Sequence, residues 1–107
     1  MQLDEILTPE HCHARLLGVS KKRILTNVSE LIAEQNELLK EDEIFNALMA
    51  REQLGSTGLG NGIAIPHCRV SCCHEILGAL ITIDSPIDFD SLDGRPVDIL
   101  FVLLVPQ

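Results

Sequence analysis

Residues 55–68 read GSTGLGNGIAIPHC: four glycines, a Ser-Thr pair and one histidine in fourteen residues. What flanks this stretch decides the fold. Before it, Ile44, Phe45, Leu48 and Met49 recur at helical spacing. At its far end, the short apolar run Gly62–Ile65 is stopped by Pro66. The glycine-rich segment therefore leaves a helix and opens a strand. A dinucleotide-binding fingerprint has the opposite order, following a strand and opening a helix. A P-loop needs Gly-Lys-Ser/Thr, and none is present.

Working outward, the helix before the loop starts near Glu41. Glu41, Asp42 and Glu43 suit its positive end, and Gly55 is expected to end it in the left-handed conformation. Upstream, Ser20 offers an N-cap, and Ile24, Leu25, Val28, Leu31 and Ile32 form one apolar stripe. Lys21, Lys22 and Arg23 fall in the first turn, where the helix dipole disfavours cations. They read either as an exposed trio or as a basic spot facing an acidic partner or a phosphate. Cys12–Val19 reads as an edge strand. The alternation His11-Cys12-His13 puts its two histidines on one face, with surface placement expected.

Downstream, CRVSCCH (68–74) reads as a polar loop, and Asp84–Pro96 as a loop or edge segment. Ile76–Ile83 and Val97–Val105 are almost uniformly apolar and predict strands buried on both faces. The order β, α, α, β, β, β predicts one α/β domain over residues 1–107, a mixed β-sheet flanked by helices. Two such strands need more cover than two helices give. Further chain beyond Gln107 is the favoured source of that cover, and a second protomer in a homodimer is the other.

With 16 acidic and 8 basic side chains the net charge is −8, which excludes nucleic acid as the main partner. Tyr and Trp are absent, so base-stacking platforms are missing too. MQLDEILTPEH carries no basic signal-peptide region, and the apolar runs are about half the ~20 residues of a membrane span. A cytoplasmic protein without direct membrane insertion is expected, its four cysteines as thiols rather than a disulfide framework.

The chemistry gathers at His67. Consecutive N–H groups of a glycine-rich turn make an anion-binding concavity, and Ser56 and Thr57 add hydroxyl donors. Arg51, one helical turn earlier, can turn its guanidinium to the same space. An imidazole with an ordinary pKa of roughly 6.5 is mostly neutral at pH 7 and offers one bare nitrogen. A nucleophilic imidazole beside an oxyanion cradle suits phosphoryl transfer through a phosphohistidine. The competing reading is a surface histidine that ends a strand, with glycines serving only the turn.

REQLGSTGLGNGIAIPH (51–67), SKKRIL (20–25) and SPIDFDSLDGRPVDILFVLLVP (85–106) resemble the enzyme IIA domains of the fructose/mannitol class. These belong to the bacterial phosphoenolpyruvate:sugar phosphotransferase system, and the likeness is greatest to its stand-alone nitrogen-regulatory branch. The resemblance covers nearly the whole chain. It implies an α/β sandwich in which His67 takes a phosphoryl group from a small HPr-like phosphocarrier protein. Arg51, Ser56, Thr57, Gly58, Gly60 and Asn61 would support the site, with no cofactor and no metal. The family pattern has Gly where this chain has Cys68, and continues past LLVP with helices that carry a second histidine.

Two roles follow from the resemblance. In the preferred one the protein is a phosphorylation-dependent regulator of nitrogen, carbon or potassium metabolism that binds target proteins. In the other it relays phosphoryl to a sugar-specific IIB component. The cluster His67, Cys68, Cys72, Cys73 and His74 leaves zinc binding, or a redox switch at Cys68, as a weaker third reading.

Overall fold

The computed structural model describes residue 7, residues 9–71 and residues 73–107. A 3-10 turn, Pro9–His11, leads into β1 (Cys12–Leu16). Then come α1 (Lys21–Gln35), α2 (Glu41–Leu54), β2 (Gly58–Gly60), β3 (Ile63–Ala64), β4 (His67–Val70), β5 (Leu77–Ile87) and β6 (Val97–Pro106). The six strands form one mixed sheet in the order β1-β5-β6-β3-β2, with β4 also pairing β6. Strands β1 and β5 are parallel, β5 and β6 antiparallel, and β3 and β4 both run parallel to β6. The expected mixed α/β architecture is present. Among the described residues no helix is long and apolar enough to cross a membrane.

Both helices start and stop where their residues dictate. The Ser20 hydroxyl accepts the Arg23 N–H at 3.1 Å, capping α1 as the sequence predicted. Ile24, Leu25, Val28 and Ile32 of α1 and Ile44 and Leu48 of α2 are sealed from solvent. They meet Ala79, Ile81, Ile83 and Ile87 of β5 and Val97, Leu100, Val102 and Leu104 of β6 in one core. Each fully buried Leu or Ile contributes about 1.5–3 kcal/mol. Gly55 does end α2, but with φ 157° and ψ 152° rather than in the left-handed conformation. That φ is one that side chains other than glycine's rarely adopt.

Three other expectations are corrected. First, the described residues cover β5 and β6 on one face: Leu80 and Ile99 are each 37 % exposed while their neighbours Ile81 and Leu100 are covered. A uniformly apolar run does not reveal which faces are covered, whereas alternate burial does. Second, the polar segment after His67 is not all loop. Residues 67–70 form β4, held by β6 in the register His67↔Leu103 to Val70↔Pro106. A neighbouring strand overrides the weak strand preference of its residues. Third, His11 is buried rather than on the surface, and its Nε2 accepts a hydrogen bond from the Asn36 amide at 3.2 Å. Burial pulls its pKa below the ordinary histidine value, against Glu10 and with the help of His13. Cys72, of the proposed cysteine cluster, lies outside the described residues.

The loop after β5 also contributes to the core. Phe89 is fully buried although its neighbours Asp88 and Asp90 are polar and exposed. Its ring lies 5.0 Å beneath the Lys21 ammonium, within cation–π range.

Candidate active site around His67

His67 stands at the start of β4 and is exposed. Its backbone is set by Pro66, whose carbonyl accepts the Leu103 N–H of β6 at 2.9 Å. Across from it, Ala47, Ala50, Arg51 and Leu54 follow the i, i+3, i+4, i+7 pattern, so they share one face of α2. That face and the β4–β6 residues His67, Cys68, Arg69 and Val105 enclose an open groove of about 570 Å³. The groove floor is mostly apolar, and its polar groups are His67 and the two arginines.

The imidazole is oriented from both ends. Nδ1 lies 2.8 Å from the Ile65 carbonyl, and Nε2 lies 3.4 Å from Arg51 Nε. A carbonyl can only accept and a guanidinium N–H can only donate. Nδ1 therefore carries the proton, and Nε2 presents its lone pair toward Arg51. Arg51 is held in turn by its Nη1 donating to the Gly55 carbonyl at 2.8 Å. A long side chain on the last turn of a helix is thus anchored to the residue that ends that helix.

The remaining predicted residues divide into two groups. Ser56 and Thr57 lie beside the Arg51 anchor, but their hydroxyls are engaged with the protein itself. Ser56 Oγ donates to the Phe89 carbonyl and accepts the Gly58 N–H at 3.0 Å. Thr57 is buried, its hydroxyl donates to the Glu52 carboxylate, and its carbonyl accepts the Ile65 N–H at 3.0 Å. Gly58 must lack a side chain, because a Cβ there would meet Ser91.

Gly60 and Asn61 are carried away from His67. The glycine-rich segment folds into the β2–β3 hairpin, with Asn61 and Gly62 at its turn. Ile63 pairs with Ile99 and His67 with Leu103. At ~3.3 Å per residue that puts Ile63 about 13 Å along β6 from His67, with the turn beyond it. The turn amide is already satisfied: Asn61 N–H donates to Asp93 Oδ2 at 2.8 Å. That bond, with the Arg95 N–H, holds the Asp93 carboxyl below its ordinary pKa.

One residue next to the site, Glu52, was not singled out from the sequence, and Lys21 was read there only as part of the basic trio. Glu52 is only 8 % exposed, and its side chain meets Lys21 Nζ at 2.9 Å, with Asp90 joining at 3.1 Å. Burial alone would lower the Lys21 pKa, but the hydrogen bonds and charges of Glu52 and Asp90 outweigh it and hold it above the ordinary lysine value. The sequence did carry a signal. Ile44, Leu48 and Glu52 are spaced by four, and Lys21 continues the stripe of Ile24, Leu25 and Val28. Here the charges that end the two stripes meet as an ion pair at the edge of the core. Of the basic trio, Lys22 and Arg23 are exposed while Lys21 is turned inward.

Cys68, the thiol next to the histidine, is half-buried in the groove wall. Burial, helped by Cys73, pushes the half-buried Cys68 thiol up to about 12, so it stays protonated and weakly nucleophilic. Cys73 is buried and donates to the Glu75 carbonyl at 2.7 Å. Among the described residues, no three His, Cys, Asp or Glu side chains gather as a metal site would require.

Residues 5–107 match the family described as Phosphoenolpyruvate-dependent sugar phosphotransferase system, EIIA 2. The chain belongs to this family. Over its full length this EIIA 2 chain is 51% identical to the nitrogen regulatory protein of Pseudomonas aeruginosa, of which it covers 70%. The nitrogen regulatory relatives that it matches almost end to end are longer, and it spans 65 to 70% of their length. Among solved structures it is similar to the nitrogen regulatory protein IIA-Ntr of Neisseria meningitidis. The two share 42% identity and a TM-score of 0.89, over 98% of this chain and 71% of the other. The fold alone is shared with the Escherichia coli enzyme IIAMtl solved in complex with phosphorylated enzyme IIBMtl. That pair has 14% identity and a TM-score of 0.75, over 94% of this chain and 70% of the other.

Proposed function

We propose that His67 of this EIIA 2 chain accepts a phosphoryl group on Nε2 from a phosphorylated phosphocarrier protein. The observation that carries this reading is the orientation of the ring between the Ile65 carbonyl and Arg51. The lone pair of Nε2 attacks phosphorus, the bond from phosphorus to the donor's nitrogen breaks, and the donor keeps that electron pair. Nδ1–H stays on the Ile65 carbonyl throughout and stabilises the positive charge the ring gains as the new bond forms. The arriving group carries a charge near −2, and the Arg51 guanidinium is the preorganised cation that meets it. Ser56, Thr57 and Gly58 contribute by holding the turn that anchors Arg51. Gly60 and Asn61 shape the hairpin that sets β3 and β4 against β6.

The phosphorylated form then carries a group with a charge near −2 where the unphosphorylated form has none, a net change of about one negative charge while Nδ1 keeps its proton, at the mouth of an apolar groove. That difference is enough to select between protein targets, which is the regulatory role suggested by the nitrogen regulatory relatives. Incubation with phosphoenolpyruvate, enzyme I and a phosphocarrier protein should give an acid-labile, base-stable adduct that His67→Ala abolishes. Failure of the wild-type chain to form the adduct overturns the proposal.

A second reading, onward transfer to a IIB component, is favoured by the fold-related IIA that was solved with its phosphorylated IIB. Adding IIB to the isolated phosphoprotein separates the two roles. Loss of the adduct, with matching phosphate on IIB, supports relay, and a stable adduct supports regulation.

A further inference from the structure

Glu52 does not line the groove, yet its carboxylate holds the turn that follows the helix carrying Arg51. Its buried carboxylate accepts the Thr57 hydroxyl and lies 3.3 Å from the Thr57 backbone nitrogen, while Lys21 holds its other oxygen at 2.9 Å. Thr57 is thereby fixed as the third residue after α2. Its carbonyl takes the Ile65 N–H, so the same contact ties the turn to the residue whose carbonyl orients His67. Two residues back, the Gly55 carbonyl anchors Arg51.

We infer that Glu52 is a positioning residue for phosphoryl transfer: it locks the Gly55–Thr57 turn, and through it both partners of the His67 ring. From Glu52 one path runs through Thr57 and Ile65 to Nδ1. The other runs through the turn to Gly55 and Arg51, and so to Nε2. Lys21 and Asp90 complete the lock from the other side, with Lys21 neutralising a carboxylate that would otherwise be costly to bury. Two apolar helix stripes, each ending in a charge, bring that ion pair together. Forming the core therefore also aims the histidine.

This inference rests on the proposed chemistry of His67, but it can be read without it. In the full chain labelled with ¹⁵N-histidine, imidazole nitrogen shifts report which ring nitrogen carries the proton. The wild type is expected to show His67 protonated at Nδ1 with a bare Nε2. Thr57→Val removes the hydroxyl without changing side-chain size. It is expected to shift His67 toward a mixture of tautomers and to slow its phosphorylation about tenfold or more. Thr57→Ser, which keeps the hydroxyl, should restore both. Lys21→Met should move both readouts in the same direction as Thr57→Val, because it frees the carboxylate from its other side.

A folded Thr57→Val protein with the wild-type tautomer and rate would overturn the inference. So would a wild-type His67 protonated at Nε2. If no variant or wild-type chain forms an adduct, phosphoryl acceptance fails while the nitrogen shifts still decide the positioning role.

Discussion

Replacing Arg51 by Gln separates what this residue does in the resting protein from what it does as phosphate arrives. At rest it makes one long contact to His67 Nε2, 3.4 Å, and one ordinary hydrogen bond to the Gly55 carbonyl, 2.8 Å. Both are at an exposed site, where the contacts of a charged side chain typically contribute about 0–1 kcal/mol to stability. In the transition state the same guanidinium faces a group with nearly two negative charges. Loss of one preorganised donor at such a centre costs about 10²–10³ in rate, or ~2.7–4 kcal/mol. The expected outcome is therefore lopsided: phosphorylation of His67 slows at least about 10²-fold, while the unfolding free energy falls by less than ~1 kcal/mol. Arg51→Lys keeps the charge but not the forked donor, and should fall between. The rate is read by quenching the reaction with excess phosphorylated phosphocarrier in base and quantifying phosphohistidine, and stability by urea unfolding. Arg51→Gln phosphorylating within about twofold of the wild type (under ~0.5 kcal/mol) would refute the assignment.

Four further outcomes are expected. Leu48→Ala empties a site with no solvent exposure and should cost about 2–5 kcal/mol, read as a lowered thermal midpoint. Gly58→Ala should destabilise because its Cβ would run into Ser91, and Ser91→Gly in the same chain should recover much of the loss. The Lys21 pKa is raised in the folded state, so its contribution is fully present below pH ~10.5 and is lost as pH rises through the folded value. The stability gap between the wild type and Lys21→Met, measured by urea unfolding, should therefore narrow above that pH. Cys68, pushed up to about 12, should alkylate with iodoacetamide at pH 7.5 far more slowly than exposed Cys12, as followed by peptide mass spectrometry.

Much of the fold was legible in local patterns. The Ser20 cap, the stripe from Ile24 to Ile32, the acidic start of α2 and its end at Gly55 depend on neighbours within one or two helical turns. Strands β5 and β6 were visible as apolar runs, but which of their faces is covered was not. β4 was invisible because His67-Cys68-Arg69 has little strand preference of its own and pairs only because β6 lies beside it. Phe89 was hidden among aspartates, and its burial depends on where the loop after β5 lands relative to α1.

The site divides along the same line. By itself the sequence determined that His67 follows a donor-rich turn, that Arg51 lies one helical turn before that turn, and that the motif matches its family. It also determined that two apolar helix stripes end in opposite charges. Only the tertiary structure decided which ring nitrogen is bare, since that depends on a carbonyl and a guanidinium reaching the imidazole from opposite sides. Only it decided that the Ser56 and Thr57 hydroxyls bond within the protein, and that the Asn61 turn stands at the far end of a hairpin. The reason is range: helix caps and stripes are set by contacts a few residues apart. The orientation of His67 and Arg51 depends on strand register, and their support depends on an ion pair between residues 21 and 52, which the chain brings together only on folding.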